Sequence, residues 1–135
     1  MEKRMNIMLG SKVKALRKQA GLTISQLAEL AAMDSGFLNY IENGKKAPSL
    51  DTLGKLAKAL NVSMSEIFST QAFKPENPFD YQVTNQVRAI LHGKSKEEKD
   101  KFLAVLKGLK NSEILSAIHK IMRTANRTGR LNPIA

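Results

Sequence analysis

The chain has 135 residues and carries 22 Lys and Arg against 12 Asp and Glu, a formal net charge of +10. It has no cysteine, which excludes disulfides and Cys-ligated zinc or iron–sulfur sites. No apolar run approaches the ~20 residues needed to cross a bilayer. Hydrophobic residues make up 42% of the chain and aromatics 5%, a balance that favours packed helices over a β-sandwich. The first ten residues, MEKRMNIMLG, hold too few consecutive apolar positions for a signal peptide. A cytoplasmic protein without membrane contact is expected, and the basic excess would draw polyanions by counterion release.

In chain order, Leu9, Val13 and Leu16 recur at helical spacing and predict a helix over 9–20, with Lys12, Lys14, Arg17 and Lys18 on its other faces. Gly21 should stop it. Thr23 and Gln26 form a T-x-x-Q capping box that opens a short helix to about Ala31, with Leu27 and Ala28 inward and Leu30 buried. Asp34 caps a third helix and Gly44 closes it. Ser49 opens a fourth over Leu50–Leu60, whose apolar face is Leu50, Leu53, Leu56, Ala57 and Leu60. Ser63 and Glu66 make a second capping box before Ile67 and Phe68. The prolines and turn residues of 69–82 read as a linker. Val83, Val87, Ile90 and Leu91 then suggest a helix ending near Gly93. Ser95 and Glu98 cap another, with Phe102, Val105, Leu106 and Leu109 inward. A last helix starts at Asn111 or Ser112 and carries Ile114, Leu115, Ile118, Ile121 and Met122 along one side. Residues 127–135 show no periodicity and are expected to fray.

The third helix poses the functional question. At about 100° per residue, Leu38 and Ile41 point to one side, while Gly36, Asn39, Tyr40 and Asn43 fall in an arc opposite them. Ser35 and Phe37 flank that arc. A short helix anchored by two large aliphatics, with small or polar groups outward, suits a groove-filling role. It follows the second helix across Ala32–Asp34, the connection expected of a helix-turn-helix.

The span GLTISQLAELAAMDSGFLNYIENGKKAPSLDTLGKLAKALNVSMSEIF resembles the XRE family, the Cro and phage-repressor type of helix-turn-helix. The agreement covers roughly 9–68 and rests on many positions together, including Gly21-Leu22-Thr23, Leu27-Ala28, Ile41-Glu42-x-Gly44 and Pro48-Ser49. The resemblance implies an all-α protein with a five-helix, lambda-repressor-like DNA-binding domain over 1–68. It also implies a dimer acting on double-stranded DNA. By position, Ser35, Gly36 and Tyr40 occupy the family's base-facing sites, with Asn39 beside them. Phe37 and Asn43 lie where the family touches the sugar–phosphate backbone, Lys45 and Lys46 in the loop that clamps phosphate, and Thr23 and Ser25 at the amide end of the second helix. Arg17 and Glu42 match an internal ion pair between helices. Two positions depart from the pattern: Ile24 stands where the family often has glutamine, and Gly36 offers no side chain to a base. Asparagine can pair bidentately with adenine, and a tyrosine ring can lie against a thymine methyl. Modest direct readout with an A·T lean, supported by backbone contacts and DNA shape, is therefore expected.

No enzyme, cofactor or metal site is expected, since His92 and His119 lack ligand spacing and the serines have no base in a known arrangement. The segment 83–126 is too short to bury its three apolar faces alone. It is expected to pair with the same segment of a second chain or to pack back on the first domain, and a homodimer is the preferred reading, as a two-fold operator requires. The function that follows is a dimeric transcriptional repressor on a palindromic operator. Two other classes compete: an antitoxin whose C-terminal helices bind a protein partner while the protein regulates its own operon, and a bridging factor without operator specificity.

Overall fold

The computed structural model of the protein describes residues 2–108 and Ser116. All regular structure among them is helical: α1 (Glu2–Gln19), α2 (Ile24–Leu30), α3 (Ser35–Glu42), α4 (Leu50–Leu60), α5 (Met64–Phe68), α6 (Pro78–Leu91) and α7 (Lys96–Lys107). The chain divides into two compact units between Glu76 and Asn77. Apart from Ser116, the expected helix over 111–126 with its apolar residues lies outside the described residues, as do Leu109, His119, the tail and the side chain of Leu106.

In the first unit α1 packs on α3, α4 and α5, α2 packs on α3 and α4, and α4 packs on α5. Each short helix would be marginal alone, so the shared core holds them. Val13, Leu16, Leu27, Leu38, Ile41, Leu56 and Leu60 are fully buried, and Leu53 nearly so. Leu30 is buried as expected. Ile67 closes the core from α5, while its neighbour Phe68 stays half exposed.

Side-chain caps set the starts. Thr23 Oγ1 accepts the Gln26 amide at 3.1 Å, and Gln26 Oε1 accepts the Thr23 amide at 3.0 Å, completing the box. Asp34 accepts the Phe37 amide at 3.0 Å and Ser49 the Thr52 amide at 3.1 Å. At α5 only half of the expected box forms. Ser63 accepts the Glu66 amide, but the Glu66 carboxylate turns to Lys12 at 3.7 Å, because α1 lies alongside.

Three expectations need correction. First, α1 begins at Glu2 rather than Leu9: residues 2–9 hold no proline or glycine to interrupt it. Second, α6 begins at Pro78, inside the expected linker of 69–82. A proline at the first helical position loses no intrahelical bond, and Asn77 Oδ1 accepts the amides of Phe79 and Asp80. Third, Leu50, Ile90 and Val105 belong to the expected apolar faces but are 71%, 47% and 69% exposed. Leu50 is the first residue of its helix, with no preceding turn to cover it. In α7 the adjacent Phe102 and Leu103 set the buried face, which turns Val105 outward.

The core of the second unit is built on Val87 and Leu91, with Val83 and Phe102 packed against them. Ser95 and Glu98 form the full capping box at the start of α7. Gly93, with φ at 75°, ends the turn after α6.

Candidate nucleic-acid interface

The α2–α3 connection runs through Ala31, Ala32 and Met33. The Met33 amide donates to the Ala28 carbonyl at 2.9 Å and the Ala32 amide to the Glu29 carbonyl at 3.1 Å, the paired bonds of a Schellman stop. The first of these two donors along the chain must take the left-handed conformation, and here that residue is Ala32, with φ at 54°. This sharp turn swings α3 across α2 and presents its outer face to solvent.

On α3 the expected two sides are both present. Leu38 and Ile41 are fully buried, whereas Ser35, Gly36, Asn39 and Tyr40 are exposed and Phe37 is half-buried. Asn43, Lys45 and Lys46, just beyond the helix, are exposed as well. On α2, Thr23 and Ser25 are exposed and Ile24 half-buried. Thr23 already spends its hydroxyl on the α2 cap.

Hydrogen bonds among these residues organise the surface further. The Lys45 and Lys46 amides both donate to the Tyr40 carbonyl, at 2.9 and 3.4 Å, folding the loop back over the end of α3. The Lys46 ammonium then lies 5.9 Å from the centre of the Tyr40 ring, at the outer range of a cation–π contact. Asn43 Nδ2 donates to the Asn39 main-chain carbonyl at 2.9 Å and to Asn39 Oδ1 at 3.1 Å. The polar face of α3 and the two lysines thus form one connected surface.

Beneath it the expected ion pair is present. Arg17 Nε donates to Glu42 Oε2 at 2.9 Å and a terminal guanidinium nitrogen to Oε1 at 3.0 Å, with both residues buried. The other terminal nitrogen donates to the Leu22 carbonyl at 3.0 Å. One guanidinium therefore ties α1, the end of α3 and the loop before α2 together. Lys12 is likewise a structural cation, donating to the Gln71 carbonyl and facing Glu66. The α1 cations expected to point outward are thus split, with Lys14 and Lys18 exposed and the other two engaged.

Sequence reasoning missed Gly10. A Cβ built there would sit 2.1 Å from the Ile41 carbonyl oxygen and 2.9 Å from that of Glu42. Gly44 meets α1 in the same way, with Ile7 Cγ1 2.7 Å from its built Cβ. These two contacts set how closely α1 approaches the end of α3. A lone glycine inside a helical pattern, between apolar positions, was the available signal.

Among the described residues no cluster of His, Asp or Glu has the makings of a metal site, and no helix is long and apolar enough to cross a membrane. What the face offers is amides, hydroxyls and one phenol on a short helix, with two exposed lysines just beyond its end. Those groups suit hydrogen bonding to base edges and charge contact with phosphate.

The helix-turn-helix family profile matches residues 13–67. The immunity repressor protein of Bacillus phage phi105 is 34% identical over 111 residues, covering 80% of this chain and 69% of that protein. The HTH-type transcriptional regulator SinR of Bacillus licheniformis is 34% identical over 112 residues, covering 78% of this chain and 98% of SinR. Among solved structures, the restriction-modification controller protein C.AhdI from Aeromonas hydrophila aligns over 48% of this chain and 98% of its own, with 31% identity and a TM-score of 0.48. The chain belongs to the XRE-type helix-turn-helix family of DNA-binding transcriptional regulators.

Proposed function

We propose that the protein is a dimeric repressor that binds a palindromic operator, with α3 in the major groove. The observation that carries the reading is the connected polar face of α3: Ser35, Gly36, Asn39 and Tyr40 outward over a fully buried Leu38 and Ile41. In this reading Ser35, Gly36 and Tyr40 face the bases with Asn39 beside them, and the side chains of Asn39 and Tyr40 make the base contacts. Phe37, Asn43, Lys45 and Lys46 follow the sugar–phosphate backbone, joined by Thr23 and Ser25 from the start of α2. The phage immunity repressor among the relatives supports repression as the outcome.

Dimerisation is assigned to the segment 83–126, of which α6 and α7 are described. Exposed Ile90 and Val105 on those helices support it, since apolar side chains gain by burial against a second copy. Two α3 helices on such a dimer would meet successive major grooves about 34 Å apart. Selection of binding sites from random DNA duplexes tests the proposal. The expected result is an inverted repeat with half-sites about one helical turn apart. Recovery of unrelated sequences, or of a single unpaired half-site, would refute it.

A further inference from the structure

We infer that Asn43 is a positioning residue that fixes which way the Asn39 amide faces, so that Asn39 is set before binding to read an adenine edge. The inference rests on α3 being the base-reading helix. An asparagine amide has a donor end and an acceptor end, and half a turn about χ2 exchanges them. On an exposed helix face both states are ordinarily open.

Here the main chain decides between them. Asn43 Nδ2 lies 2.9 Å from the Asn39 main-chain oxygen, which can only accept, so the nitrogen of Asn43 must be the atom facing it. The same nitrogen lies 3.1 Å from the nearer atom of the Asn39 amide. If that atom were Nδ2, two donors would face each other. It is therefore Oδ1, and the Asn39 Nδ2 is turned away from Asn43.

A carbonyl oxygen has two lone pairs, so with Asn43 Nδ2 on one of them Oδ1 can still accept a hydrogen bond from a base. The outer edge of Asn39 then presents one donor and one acceptor in a fixed order. Adenine's major-groove edge offers the matching N7 acceptor and N6 donor. Guanine offers two acceptors and would leave the Oδ1 facing another oxygen. Holding the order in the free protein removes the rotamer cost of choosing it on DNA.

Duplex selection with the full chain, its Asn39→Ala variant and its Asn43→Ala variant tests this, with thermal melts run alongside. The wild type should select adenine at one position of each half-site, and Asn39→Ala should lose that preference by about tenfold or more. Asn43→Ala should blunt the same position several-fold and leave preferences elsewhere unchanged. Lower affinity for every sequence with the adenine preference intact would make Asn43 a phosphate contact alone and overturn the inference. A preference unchanged by Asn39→Ala would overturn it too. A wild type with no preferred bases at all would instead overturn the base-reading role of α3. Should Asn43→Ala melt early, side-chain NMR of the free wild type decides: a rigid Asn39 amide supports the inference, and a freely turning one refutes it.

Discussion

Ala32 takes a backbone conformation that the neighbouring helix ends give to glycine or asparagine. The stops after α1, α3 and α4 have Gly21, Gly44 and Asn61 in the left-handed region, and the stop after α2 has Ala32 at φ 54°. A Cβ in that region costs about 1–2 kcal/mol, and glycine's greater freedom when unfolded offsets about 0.4–1 kcal/mol of any relief. Ala32 is exposed and has no packing to lose. Ala32→Gly should therefore stabilise the protein by up to about 1 kcal/mol, read as a higher melting temperature. The sequence marks Gly21 and Gly44 as stops plainly, but nothing in it marks Ala32 as strained. That strain comes from where α3 must go. The buried Arg17–Glu42 pair lies at the same scale and was legible, because the motif fixes both positions. Removing one partner of a buried pair strands the other, at a cost of about 3–5 kcal/mol. Glu42→Gln should lower stability toward that range in denaturant titrations. A melt indistinguishable from wild type would mean that the pair is not holding α3.

The α1–α3 crossing is where the sequence was least readable. Apolar spacing located Val13, Leu16, Leu38 and Ile41 in the core, because burial of those side chains follows from periodicity alone. The close approach at Gly10 depends instead on main-chain atoms of another helix, which leave no periodic trace. In an ordinary exposed helix Gly→Ala stabilises by about 0.5–1 kcal/mol. At Gly10 the sign should reverse, since the new methyl meets the Ile41 carbonyl and overpacking costs about 1–3 kcal/mol. Gly10→Ala should therefore melt earlier and bind DNA more weakly, the end of α3 having been pushed from α1. The loop after α3 reads differently. Its position was visible in sequence, but the fold-back onto the Tyr40 carbonyl and the Lys46–Tyr40 contact were not. If Lys45 and Lys46 touch phosphates, Lys→Ala at each should weaken binding to all sequences alike and reduce the salt slope by about one unit per contact. An unchanged slope would move these lysines off the DNA.

For the whole molecule the boundary of the DNA-binding unit matters most. A break at Phe68 looks natural in sequence, where the last capped helix gives way to turn residues. The chain does not leave the first unit there. Lys12 Nζ donates to the Gln71 carbonyl, and Gln19 Nε2 donates to the Phe73 carbonyl at 2.8 Å, so 69–73 runs back along α1. The polar composition that reads as linker is the composition of a strap held by its main chain, and side-chain periodicity cannot report that. A fragment ending at Glu76 should therefore fold, keep the core of Val13, Leu16, Leu27, Leu38, Ile41, Leu56 and Leu60, and melt above one ending at Phe68. Each strap bond is worth about 0.5–1.5 kcal/mol, so a gap of a few degrees is expected. The same fragment lacks α6, α7 and all that follows. If those residues make the dimer, it should sediment as a monomer while the full chain sediments as a dimer at micromolar concentration. Its operator affinity should fall by about 10²-fold or more, because two linked reading helices gain from each other's binding. A full chain that is monomeric at that concentration, or a 1–76 fragment that is dimeric with equal affinity, would remove the second unit from operator recognition.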